Sequence, residues 1–153
     1  MKIFCYGSNM SSERITERCS SSRFISRASV TGWKLLFNKR SKDGSGKANL
    51  VWTGDRSLVW GVIFDISEDQ KSILDKFEGL GWGYDELKLL VINDLGEEVD
   101  CVCYISRDDK YLDGGLKPHG WYKEFCLVGA REHSIPEDYI LTIESVDVTE
   151  NYL

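Results

Sequence analysis

Apolar residues along this chain come mostly in short continuous or alternating runs, with helical spacing confined to a few stretches between them. Residues 2–6 read as a buried strand, and residues 11–18 as a short helix with an acidic first turn and one apolar position, Ile15. Residues 30–37 are strand-like, the polar run 41–47 turns the chain, and residues 48–52 carry it back. After a turn at 55–57 comes the run 58–65, so apolar throughout that it belongs in the middle of a sheet or barrel. From Ser67 to Glu78 the spacing predicts a helix: Ser67 and Gln70 are placed as a capping box, Ile73, Leu74 and Phe77 form an apolar stripe, and Gly79 closes the end. Strands resume over 85–92 and 99–105 around a turn at 93–96. Beyond a charged, glycine-containing loop at 107–118, Trp121, Phe125 and Val128 recur at i, i+4, i+7 and predict a helix on the core that ends at Gly129. Ser134 and Glu137 have capping-box spacing with Pro136 in the first turn, opening a last helix through Ile140 and Ile143. Sequential strands with occasional helices predict an α+β fold rather than regular βαβ winding.

Composition narrows the class. At 153 residues the chain fits one domain, 1–153, in which about two thirds of the unfolded surface can be buried. An apolar content of 42%, with five Trp, is that of a globular protein, and no stretch has the composition of a linker. The net charge of −6 argues against a nucleic-acid surface. Only Lys34, Lys39, Arg40, Lys42 and Lys47 approach a cluster, which reads as the solvated face of a hairpin. The apolar stretch before Gly7 is too short for a secretory leader and no run is long enough to span a bilayer, so a soluble, cytoplasmic protein without a membrane partner is expected.

Five Cys without framework spacing are expected to be reduced thiols; Cys101 and Cys103 alternate along one strand and are badly placed for a disulfide. His119 and His133 lack the spaced partners of a zinc site, so no metal is expected. The glycine-rich stretch 79–83 follows a helix instead of a strand and lacks the downstream acidic residue of a dinucleotide loop.

The most informative segment is Lys2-Ile3-Phe4-Cys5-Tyr6-Gly7-Ser8-Asn9-Met10, an apolar strand that runs into Tyr-Gly-Ser-Asn and then into a helical pattern. A glycine there lets the backbone turn with no side chain in the way, and the N–H groups that follow can converge on a bound oxygen. The same residue types also make ordinary turns.

Tyr6-Gly7-Ser8-Asn9, then Val59-Trp60-Gly61-Val62 ahead of a helix, then Phe77-Glu78-Gly79 with Tyr84 behind it, then Trp121-Tyr122 before a third helix occur in this order. The ordered set resembles the gamma-glutamylcyclotransferase family, whose members release 5-oxoproline from gamma-glutamyl compounds, and the resemblance spans residues 2 to 141. It implies a small mixed β-barrel with several surrounding helices, which periodicity does not show. It also implies a cofactor-independent enzyme, monomer or homodimer, acting on a small-molecule gamma-glutamyl substrate. Glu78 matches the family's catalytic glutamate, the Tyr6-Gly7-Ser8-Asn9 loop its binding loop, and Tyr122 a tyrosine that contacts the ligand through its hydroxyl. Tyr84 is expected as a wall of the pocket. Cys5 stands where the family commonly has a small apolar residue, adding a thiol near the site. The loop continues Ser8-Asn9, unlike the Ser-Leu expected of the glutathione-specific branch.

Cyclisation is an internal attack of the α-amine on the γ-carbonyl, so a base, an oxyanion support and an acid for the leaving nitrogen are needed. One carboxylate serves as both base and acid if its pKa is raised. Glu78 is placed for that: it ends the helix begun at Ser67, where unpaired carbonyls disfavour a negative charge, and burial beside Phe77, Trp82 and Tyr84 would push the same way. The leaving group is expected against residues 39–47 and 107–121. Two other accounts stay open: a thiol hydrolase pairing Cys5 or Cys126 with His119 or His133, and a non-catalytic member of the fold that binds a small carboxylate or serves as an interaction module.

Overall fold

The computed structural model describes residues 1–81 and 83–149. Five strands close into a mixed barrel in the order β1-β5-β2-β6-β7. These are β1 (Lys2–Cys5), β2 (Arg23–Thr31), β5 (Leu58–Asp65), β6 (Asp85–Asn93) and β7 (Glu98–Ile105); β3 (Trp33–Arg40) and β4 (Gly46–Trp52) form a separate antiparallel ribbon. β5 pairs antiparallel with both β1 and β2, the central place its unbroken apolar character demands. A single parallel pairing, Ile3 with Val102, joins β1 to β7 and completes the barrel. Among the described residues four α-helices surround it: α1 (Ser12–Arg18), α2 (Glu68–Glu78), α3 (Gly120–Glu132) and α4 (Glu137–Glu144). The architecture is α+β, as expected. The core runs from Ile3, Phe4, Ile63 and Phe64 on β1 and β5 to Met10, Ile15, Leu74, Ile140 and Ile143 on the helical side, all essentially inaccessible. Each such side chain contributes about 1.5–3 kcal/mol through burial.

Several local expectations are corrected. The strand expected over 30–37 is two strands: the chain bends at Gly32 (φ 92°), ending β2 and starting β3. Ser67 does cap α2, yet its side chain accepts no bond from the helix. Its hydroxyl pairs with that of Ser21, while Gln70 Oε1 accepts from Ser21 N–H at 2.7 Å, so both capping-box side chains tie α2 to the neighbouring turn. Ser134 adopts φ 56° and donates its N–H to Arg131, closing α3; Pro136 is the N-cap residue of α4, and no capping box forms.

Helical faces are corrected as well. On α2 only Leu74 of the expected stripe is buried, together with Lys71, whereas Ile73 and Phe77 are exposed. On α3 the buried face is Tyr122, Cys126, Leu127, Gly129 and Ala130, rotated by one position from the expected Trp121, Phe125 and Val128. Gly129 does not end this helix. A Cβ there would lie 2.3 Å from Ser11 N, so its absence lets α3 press directly on the Met10–Ser11 backbone. The five cysteines are buried and unpaired. Among the described residues no helix is long and apolar enough to cross a membrane.

Candidate active site

A cleft of about 980 Å³ opens where β1, α1, α2 and the β3–β4 ribbon meet, and it draws together Tyr6, Gly7, Ser8, Asn9, Glu78, Tyr84 and Tyr122. β1 delivers the chain to Gly7, after which Ser8–Met10 make one 3-10 turn whose carbonyls at Gly7 and Ser8 accept from Met10 and Ser11. The first N–H groups of such a turn have no acceptor within it. Gly7 is required by proximity: a Cβ there would come within 2.9 Å of Ala48 Cβ and 3.4 Å of the Tyr122 hydroxyl.

Glu78 is the last residue of α2, and Gly79 (φ 65°) turns the chain away behind it. Its side chain is 17% exposed and points at the loop: Asn9 Nδ2 donates to Glu78 Oε1 at 2.9 Å. Asn9 Oδ1 in turn accepts from Arg18 Nη1, whose guanidinium also lies 3.7 Å from the Glu78 carboxylate. Burial raises the Glu78 pKa above the ordinary 4.5, opposed by Arg18, Arg14, the Asn9 bond and Lys39. Desolvation outweighs the cations, which favours a carboxyl able to take up and return a proton. Phe77, expected beside it in the core, instead offers its exposed ring to Arg18 at 4.9 Å. Trp82, the other expected neighbour, lies outside the described residues.

The three tyrosines have different tasks. The Tyr6 hydroxyl donates to the Tyr104 carbonyl and is thereby committed to β7, while the residue lines the cleft. Tyr84 Oη donates to Ala48 O at 2.7 Å, and Ala48 N–H donates to Tyr122 Oη at 3.0 Å. The backbone of one β4 residue therefore fixes both rings. Accepting that N–H leaves the Tyr122 proton available to a partner in the cleft.

Four cations of the site escaped sequence reasoning as site residues. Arg14 Nε donates to Ser8 Oγ at 3.0 Å and its guanidinium sits over Phe125, and Arg18 follows one turn later. Their i, i+4 spacing directly after the glycine turn was the available signal, hidden because α1 shows only one apolar position. Lys39 and Lys47 correct the expectation of a solvated hairpin face. Lys34, Arg40 and Lys42 are exposed as expected, but Lys39 and Lys47 are half-buried in the cleft. Lys39 Nζ lies 4.9 Å from the Tyr84 ring, and Lys47 Nζ 4.2 and 4.4 Å from Tyr122 and Trp121. Burial lowers the Lys39 pKa and pushes Lys47 down to about 8. Residues of both segments expected around the leaving group, among them Lys42, Lys110 and Tyr111, line the same cleft.

The thiol account finds no geometry. Cys126 is inaccessible and its pKa is pushed up to about 12 by burial, and burial also raises Cys5. His119 faces Asp43 at 3.1 Å and His133 faces Ser12 at 3.2 Å. Among the described residues no three His, Cys, Asp or Glu come together as a metal ligand set.

A closed mixed barrel with a lone carboxylate held at a glycine turn defines a class, and comparison with known proteins agrees: residues 58–143 match the model of the AIG2-like family. Gamma-glutamylcyclotransferase of Bos taurus is 30% identical over 149 residues, covering 94% of this chain and 77% of the relative, and that of Homo sapiens is 28% identical over 153 residues, covering 94% and 77%. A solved structure of a gamma-glutamyl cyclotransferase superposes with a TM-score of 0.90 at 26% identity, over 98% of this chain and 89% of the other. The chain belongs to the gamma-glutamylcyclotransferase family and is an enzyme of that kind.

Proposed function

We propose that this enzyme converts a γ-glutamyl amino acid or γ-glutamyl amine to 5-oxoproline and the free amine. The observation that carries the proposal is Glu78, among the described residues the one acid lining the cleft, hydrogen-bonded to the loop through Asn9 and with its pKa raised by burial. The neutral α-amine of the glutamyl group attacks its own γ-carbonyl carbon, forming the ring C–N bond. The attacking nitrogen gives one proton to the Glu78 carboxylate. The carboxyl returns that proton to the leaving nitrogen as the original amide C–N bond breaks and the carbonyl re-forms. Loop N–H groups from Gly7 to Asn9, with Arg14 and Arg18 behind them, hold the oxygens of the glutamyl moiety, and the Tyr122 hydroxyl donates to it. Closure of a five-membered ring within one bound molecule needs correct placement above all, which the paired tyrosines and the loop provide.

The test is Glu78→Gln, assayed by mass spectrometry for 5-oxoproline release from a γ-glutamyl dipeptide. Turnover is expected to fall by about 10²- to 10⁴-fold while the unfolding transition and peptide binding persist. Product release at the wild-type rate would overturn the assignment.

A further inference from the structure

The chain as a whole is acidic, with 25 Asp and Glu against 19 Lys and Arg, yet its cleft is the reverse. Among the described residues, eight Lys and Arg line the cleft and Glu78 is the only acid. One of these cations, Arg40, is matched outside by Asp113 at 3.1 Å. Arg18 shares Glu78, and Arg14 and Arg18 stand beside the loop that holds the glutamyl moiety. Lys39 and Lys47 come from the ribbon instead, and among the described residues no carboxylate lies within 4.0 Å of either ammonium. Both are half-buried and held over aromatic faces that fix their position without neutralising them, and the nearest acids, Glu78 for Lys39 and Asp43 for Lys47, act from beyond ion-pair distance. A desolvated cation without a counter-charge is costly, and a ligand anion removes that cost.

Resting on the cyclisation reading, we infer that the leaving group is itself a dicarboxylic amino acid, so that the preferred substrate is a γ-glutamyl conjugate of glutamate or aspartate. The glutamyl moiety is a zwitterion: its α-carboxylate is matched by its own α-ammonium and by the arginines of α1. It supplies no charge for the ribbon. A leaving amino acid with one carboxylate answers one lysine; a second carboxylate answers the other, with the exposed Lys42 and Lys110 adding to the field at the mouth. A cationic leaving amine, such as the side chain of lysine or a polyamine, meets like charge at the same place.

Three peptides decide the matter: γ-glutamyl-glutamate, its near-isosteric neutral partner γ-glutamyl-glutamine, and γ-glutamyl-lysine. With 5-oxoproline as readout, kcat/KM is expected to be about tenfold higher for glutamate than for glutamine at low salt, lowest for lysine, and to converge as NaCl is raised. Lys39→Gln and Lys47→Gln should each shrink the glutamate-to-glutamine ratio; the ratio is read because it cancels losses common to both peptides. A ratio at or below one, or a ratio untouched by both substitutions, overturns the inference. Calorimetric titration of Glu78→Gln with the same peptides reads the preference as a ratio of Kd values without turnover. Charge selection without product thus refutes cyclisation alone, and product without charge selection refutes this inference alone.

Discussion

Two charged groups lie about two turns apart on α2 and are built on opposite principles. Lys71, almost fully buried, is clasped by Asp75 and by Glu86 at 2.6 Å, and the Tyr104 hydroxyl donates to the same Asp75. That knot joins α2 to β6 and β7, with more acid than base around the lysine. At the end of the helix Glu78 stands among several cations, of which Lys39 and Lys47 have, among the described residues, no carboxylate within 4.0 Å and feel Glu78 and Asp43 only from farther off. Burial alone would lower Lys71, but bonds to Asp75 and Glu86 raise it, whereas burial carries Lys47 down to about 8. Charge made complete by the fold fastens secondary structure. Charge left incomplete in a cleft marks where the fold expects a ligand.

The largest expected effect strikes the incomplete side. Glu78→Gln should lower kcat by about 10²- to 10⁴-fold, the usual contribution of a positioned acid–base, with KM changed only a few-fold. The same variant has a stability signature. Because the folded pKa of Glu78 is raised, its contribution is full below the unfolded pKa and is lost as pH rises through the folded value. The difference in urea unfolding between Glu78→Gln and wild type should therefore widen in favour of the variant from pH 4 to pH 7.

Next comes the complete side. Lys71→Met leaves Asp75 and Glu86 facing each other, and because both carboxylates are partly exposed the expected loss is about 2 kcal/mol by urea unfolding at pH 7. Its sign in pH is definite: the raised folded pKa of Lys71 gives stability present below the unfolded pKa, near 10.5, and lost as pH rises through the folded value. A smaller effect is expected at Arg18, the cation that most lowers the Glu78 pKa. Arg18→Met should move the acid limb of the kcat/KM profile upward. The smallest belongs to Lys47, whose depressed pKa makes the native state gain stability between about pH 8 and 10.5. Lys47→Met should abolish that gain, about 1 kcal/mol after solvent screening, and unfolding curves at pH 7.5 and 10 compare the two. Equal pH responses from Lys71→Met and Lys47→Met would erase the contrast between the two sites.

What could be read in advance follows from how local the determinant is. β5 and the β6–β7 hairpin were legible because their runs are apolar or bounded by a turn at Asn93–Gly96. β2 was missed over most of its length because Arg23–Thr31 buries only Ala28 and Val30 and is held by ladders to β5 and β6 rather than by its own pattern. The barrel came from family resemblance, since closure depends on the pairing of β1 with β7, which no spacing encodes. The stripe of α3 was misplaced by one position because Trp121 and Val128 are large but face outward, while small Gly129 and Ala130 make the close contact. In the cleft, Tyr6 to Asn9, Glu78, Tyr84 and Tyr122 were named from motifs, and the structure brings them together. Lys39 and Lys47 were legible only as charges; which way a hairpin lysine turns is decided by the Tyr84, Tyr122 and Trp121 rings it meets.

Ala48 carries a consequence for how such an enzyme could diversify. Its two backbone polar groups clamp Tyr84 and Tyr122 from a ribbon that shares no ladder with the barrel. The stem of that ribbon is bound to the cleft through Ala48, whereas its tip at residues 41–45 reaches the cleft through Ser41 and Lys42 and pairs Asp43 with His119, away from Glu78 and the glycine turn. Exchanging tip residues offers a route to new leaving groups that keeps ring closure intact, much as a key can be recut without touching its bow.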